Sequence, residues 1–123
     1  MTLASWIHSI LDQTYSDYEI LLLNDGSTDE SLKIAKQFDE TRVCIFSDGI
    51  NRGLTYRLNQ GFELACGKYI ARMDSDDLCF PERFEKLVGF LNAHSDIDLL
   101  GCRAQRWPPP SRHPYSTRTE AAL

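Results

Sequence analysis

The chain has 123 residues, a length that fits one domain of ordinary size. Its hydrophobic content of 42% is enough for a real core, and its net charge of −5 offers no basic stripe, which excludes nucleic acid as the expected partner. No apolar run is long enough to span a bilayer and no signal peptide is visible, which leaves docking on a membrane-bound partner or lipid substrate open.

The first element is an amphipathic helix over residues 3–13, because Leu3, Trp6, Ile7, Ile10 and Leu11 recur at helical spacing. A continuous apolar run from Glu19 to Asn24 follows and reads as a buried parallel strand. Ser27-Thr28-Asp29-Glu30 fits a capping box that opens a helix with Leu32, Ala35 and Phe38 inward. Val43–Phe46 is a short strand, and Asp48-Gly49-Ile50-Asn51-Arg52-Gly53 is a turn-rich loop. Leu54, Leu58, Phe62 and Ala65 mark a further helix, with Gly67 at its C-cap. Tyr69–Met73 reads as a buried strand. Pro81 suits the first turn of a helix whose buried face is Phe84, Leu87, Val88 and Leu91, and Ile97–Cys102 is the last strand.

Helix and strand therefore alternate, which predicts an α/β domain with a mostly parallel sheet over residues 1–102. The order opens inside a helix with no strand before it, so the first strand of such a sheet is expected to be missing. Residues 103–123 hold four of the five prolines and four of the thirteen Lys and Arg residues against one acid, Glu120. Periodicity stops there, and a Pro/Arg-rich disordered tail is expected. The cysteines Cys44, Cys66, Cys79 and Cys102 form no CxxC pair. Cys44 and Cys102 lie in apolar runs and are expected to be buried free thiols, as in a reducing compartment.

Two acidic strand ends carry the chemistry. In Asp74-Ser75-Asp76-Asp77, three carboxylates lie within four residues and repel one another unless a cation sits among them. Strand alternation would aim Asp74 and Asp76 the same way. A solvated turn ahead of a helix explains the same residues. A calcium loop with Asp74, Asp76 and Glu85 as ligands fails at Leu78, at Cys79 in the glycine position and at Pro81. In Asp25-Gly26-Ser27, the carboxylate is placed to accept from a pyrimidine N–H, while Gly26 permits close backbone approach. A capped strand-to-helix turn is the competing reading. Asn51 and Arg52 line the same edge, and Arg52 suits a phosphate. Arg57 reads as an exposed helix charge, and His8, His94 and His113 show no ligand spacing.

In order, Ser9-Ile10-Leu11-Asp12-Gln13-Thr14-Tyr15, Tyr18-Glu19-Ile20, Asn24-Asp25-Gly26-Ser27-Thr28-Asp29-Glu30-Ser31, Asn51-Arg52-Gly53-Leu54, Leu58-Asn59-Gln60-Gly61, Ala65-Cys66-Gly67-Lys68-Tyr69-Ile70 and Asp74-Ser75-Asp76-Asp77 resemble the family 2 glycosyltransferases of the GT-A fold. The resemblance covers about residues 3–102 and lies in the order and spacing of motifs that are weak singly. It implies a Rossmann-like nucleotide-binding half and transfer of a sugar from a nucleotide donor, first of all a UDP-sugar, to a saccharide or lipid-linked acceptor. It also implies Mn²⁺ or Mg²⁺, with Asp25 at the donor base, Asp74 at the ribose or diphosphate, Asp76 at the metal and Asp77 beside it. Cell-envelope polysaccharide synthesis is the family-level expectation.

The family's opening strand and its acceptor-side half have no counterpart in this text, so a fragment without transferase activity of its own is expected. The catalytic base stays unassigned. Two rivals remain: a non-catalytic nucleotide-binding remnant, and an aspartyl phosphotransfer domain using Asp74 as nucleophile.

Overall fold

The computed structural model describes residues 2–104. The Pro/Arg-rich segment expected to be disordered lies almost wholly outside the described residues. The elements run α1 (Leu3–Leu11), β1 (Ile20–Asn24), α2 (Ser31–Ala35), β2 (Val43–Ser47), α3 (Leu54–Leu64) and α4 (Arg83–Ala93). The chain divides into two compact units, Met1–Lys86 and Leu87–Leu123.

The first unit holds the sheet. β1 and β2 pair in parallel, with Ile20 opposite Val43 and Asn24 opposite Ser47. Parallel neighbours need a crossover, and α2 lies within it. A mixed helix–strand fold with a parallel pair agrees with the α/β, Rossmann-like expectation. The core gathers Trp6, Ile7 and Ile10 of α1 with Ile20 of β1 and Ala35 of α2. Helical spacing put those three α1 side chains on one face, and Thr2 caps the helix by accepting from the Ser5 N–H at 3.2 Å. Ile7 is wholly buried, so its truncation to alanine costs about 2–5 kcal/mol.

Several expectations need correction. Tyr69–Met73 is irregular rather than a buried strand, and Ile70 is 52% exposed. A strand needs a neighbour for its backbone groups, and among the described residues the sheet holds β1 and β2 alone. Ile97–Cys102 is likewise not a strand, and Leu99 is 91% exposed. The Ser27–Glu30 capping box does not form. Instead α2 starts at Ser31, whose N–H bonds to Asp29 Oδ1 at 3.0 Å, because a five-residue helix follows too late for Ser27 to reach it. α3 ends at Leu64 with Ala65 as its cap, so Gly67 does not cap it. Cys44 is half-buried and Cys102 exposed, whereas Cys79 is buried, and none of the four forms a disulfide.

In the second unit, the described residues continue α4 beyond Lys86. The Phe90 ring stacks on His94 at 4.1 Å, one helical turn apart. Among the described residues no helix is long and apolar enough to cross a membrane.

Candidate functional site

The carboxyl ends of the two parallel strands build one corner. Such ends are where open α/β sheets receive ligands. Asn24 closes β1 and is buried. Its Nδ2 donates to Ser47 Oγ at 2.9 Å, and its Oδ1 accepts from the Ser27 N–H at 3.3 Å, tying both strand ends to the turn that follows. Gly26 sits at φ +70°, and a Cβ there would fall 2.7 Å from the Asn51 nitrogen. Glycine is thus required for the close approach foreseen at this position. What approaches is the chain's own 50–53 loop.

Asp25 receives that loop. Its Oδ1 accepts from the Arg52 N–H at 2.7 Å and from Arg57 Nε at 3.1 Å, and its Oδ2 accepts from the Gly53 N–H at 3.0 Å. Gly53, at φ +86°, adopts a backbone conformation that suits glycine. The Arg52 N–H bond, followed by the Arg57 and Gly53 bonds, holds the Asp25 carboxyl below its ordinary pKa against the opposing pull of burial. Ionised, Asp25 is acceptor-only, with about four lone-pair sites of which three are filled. One site on Oδ2 remains, and the side chain is 28% exposed.

Arg57 is the residue the sequence reading missed. It was expected to be an exposed charge, and it is 4% exposed. Its Nε meets Asp25, its Nη2 meets Asp48 Oδ1 and the Ile50 carbonyl at 2.6 Å each, and its Nη1 meets Gln60 Oε1 at 2.9 Å. A planar guanidinium with a fork of donors suits four acceptors at once. α3 turns this charge inward, while Leu54 and Phe62 stay 60% and 58% exposed. The signal available in the sequence was the pair of acids at two strand ends with an arginine one turn into the next helix.

Asp48 is the second acid of the corner. Its Oδ2 accepts from Arg52 Nε at 2.8 Å, and its Oδ1 also takes the Ile50 N–H at 3.1 Å. The Arg52 bond first, then Arg57, drives its pKa far below the usual carboxylate range. Arg52 itself lies over the Tyr56 ring at 4.9 Å and keeps guanidinium donors beyond the one given to Asp48. Asn51 is exposed at the rim.

The second acidic cluster is a turn, not a strand end. The Asp77 N–H bonds to the Asp74 carbonyl at 3.1 Å, so strand alternation does not govern where Asp74 and Asp76 point. All three carboxylates are exposed. Asp74 pairs with Arg72 at 3.1 Å, and no hydrogen bond or ion pair engages the Asp76 and Asp77 side chains among the described residues. No group of three or more His, Cys, Asp and Glu side chains gathers into a metal cage among the described residues. The donor set nevertheless fits a hard cation of the Mg²⁺ or Mn²⁺ kind, which binds through one or two carboxylates and completes its shell with substrate phosphates and water.

The sequence profile described as glycosyl transferase family 2 matches residues 2–121. The chain belongs to glycosyl transferase family 2. It is 44% identical over 103 residues to EpsE of Bacillus subtilis, assigned as a glycosyltransferase, covering 81% of this chain and 37% of EpsE. It is 36% identical over 99 residues to the uncharacterized glycosyltransferase YibD of Escherichia coli, covering 80% of this chain and 28% of YibD. The amylovoran biosynthesis glycosyltransferase AmsE of Erwinia amylovora is 38% identical over 97 residues, with 77% and 36% covered. The chain thus spans about a third of the length of these relatives. The family resemblance read from the motifs is borne out.

Proposed function

We propose that this family 2 chain carries the nucleotide-sugar side of a glycosyl transfer reaction. One observation carries the reading: an ionised Asp25 at the mouth of a parallel sheet, fixed by three donors, with one acceptor site left. That site accepts the ring N–H of a pyrimidine, which favours UDP as the donor nucleotide. Asn51 lines the base pocket beside it. Arg52, already oriented by Asp48 and Tyr56, directs its remaining guanidinium donors to phosphate oxygens.

Asp74 faces the ribose or diphosphate side, and Asp76 with Asp77 holds Mn²⁺ or Mg²⁺ together with the diphosphate oxygens. When bound, the cation neutralises charge on the departing diphosphate. The acceptor is a saccharide or a lipid-linked saccharide. The family resemblance favours a cell-envelope polysaccharide as product, made at the cytoplasmic face of the membrane; among the relatives, AmsE is named for amylovoran biosynthesis. Proton removal from the acceptor hydroxyl is assigned to no residue of this chain.

Titration calorimetry with UDP, ADP and GDP, each with and without Mn²⁺, tests this. UDP should bind at least tenfold more tightly than the purine nucleotides, and Mn²⁺ should strengthen it. Equal affinity for all three would remove the base-reading role of Asp25.

A further inference from the structure

The acidic turn is held at its exit by residues far away in sequence. Cys79, which follows it, is buried, and its N–H donates to Ser9 Oγ of α1 at 3.1 Å. Arg83, in the first turn of α4, places Nη1 3.3 Å from Met73 Sδ and 3.7 Å from Cys79 Sγ, so it bridges both ends of the loop.

Gln13 reaches the same segment. It lies just past α1 and is 7% exposed. Its Nε2 donates to the Phe80 carbonyl at 2.7 Å and to the Ser9 carbonyl at 3.1 Å, while its Oε1 accepts from the Phe84 N–H at 3.0 Å. A carbonyl can only accept and an amide N–H can only donate, so these partners fix the orientation of the carboxamide. The Phe84 N–H is one of the unpaired donors of the first turn of α4, and Gln13 therefore caps that helix from another element. Thr14 strengthens the same junction, its N–H meeting the Pro81 carbonyl at 2.9 Å and its Oγ1 meeting Glu85 at 2.7 Å.

We propose that Gln13 is a positioning residue for the acidic turn: its buried carboxamide fixes the segment leaving the turn, and thereby sets where Asp74, Asp76 and Asp77 stand. An apolar side chain of equal volume would fill the space but leave the Phe80 carbonyl and the Phe84 N–H without this partner. The proposal rests on the reading of that turn as the cation and diphosphate side of the site.

Amide hydrogen exchange and UDP binding on the full 123-residue chain test it, with Gln13→Ala, Ser9→Ala and Asp76→Ala compared. In Gln13→Ala, the amides of Asp77, Cys79 and Phe84 should exchange at least tenfold faster, while those of Ile20 and Leu22 keep their rates. The strengthening of UDP binding by Mn²⁺ should fall at least fivefold, with metal-free UDP affinity unchanged. Unchanged exchange at the turn, or an equal rise throughout the chain, would overturn the proposal. So would faster exchange at the turn with the Mn²⁺ effect intact, provided Asp76→Ala abolishes that effect. Where Gln13→Ala does not fold, Ser9→Ala removes the Cys79 bond, together with the bond from Ser9 Oγ to the Trp6 carbonyl within α1, and should show the same pattern with a smaller factor; its absence overturns the proposal. A Mn²⁺ effect that survives Asp76→Ala sinks the underlying reading of the turn instead.

Discussion

At the Asp25 corner each oxygen of Asp25 and Asp48 accepts at least one hydrogen bond, and a buried arginine links the two acids. At the Asp74–Asp77 turn, one of three carboxylates has an ion pair, and that pair is exposed on both sides. The two regions use the same chemical group for different ends. Acids neutralised from within are a finished part of the fold, and their geometry exists before any ligand arrives. Acids left in water on one turn repel one another, and a cation relieves that repulsion. Under the proposed function, the first corner selects a nucleotide by shape and hydrogen bonding, and the second gains its full strength only with metal and diphosphate present.

Arg57→Met should break this contrast most sharply. It leaves Asp25 and Asp48 without their shared partner, and the unfolding midpoint of the ligand-free chain should fall by on the order of 10 °C in a calorimetric scan. Asp25→Asn comes next. It replaces one acceptor oxygen with a donor that faces N–H groups, so the midpoint should drop by about 5 °C and UDP affinity by at least tenfold in calorimetric titration.

The pH response follows from the same corner. Arg52 and Arg57 hold the Asp48 carboxyl below its ordinary pKa, and the Arg52 N–H does the same for Asp25. Both groups bind a proton more weakly folded than unfolded, so the unfolded chain takes up more protons as acid is added. Their stabilisation is complete above the ordinary aspartate value, about pH 4, and is lost progressively below it. Asp48→Asn should flatten that acid limb of a midpoint-against-pH curve. The smallest effect belongs to the other region: Arg72→Ala removes an exposed pair, and the midpoint should move by less than about 2 °C.

The parts of this architecture with local causes were readable in the sequence. Trp6, Ile7 and Ile10 announce α1 by spacing, and the run at Ile20–Leu23 announces β1 because a parallel strand is apolar throughout. Tyr69–Met73 carries a similar pattern, yet pairing decides a strand, and no strand beside it completes a ladder among the described residues. The same limit applied to Ile97–Cys102. At the site, Asn51-Arg52-Gly53 reads as part of the Asp25 edge, and the structure brings the Asp25 carboxylate onto the N–H groups of Arg52 and Gly53. Arg57 escaped because helix patterning assigns charges to the outside, and the two acids it meets, Asp25 and Asp48, lie at the ends of separate strands. Gln13 escaped for the same reason, since its partners lie at Phe80 and Phe84.

The most direct measurement is a thermal unfolding scan of the chain and of Asp76→Ala, each with and without UDP and Mn²⁺. Ligands that bind only the folded state raise the midpoint. The account predicts a rise of several degrees with both ligands in the wild-type chain, loss of the Mn²⁺-dependent part of that rise in Asp76→Ala, and the same ligand-free midpoint for both. An equal rise in the mutant, or no rise in either, would contradict the assignment of the acidic turn to the metal and diphosphate of a nucleotide sugar.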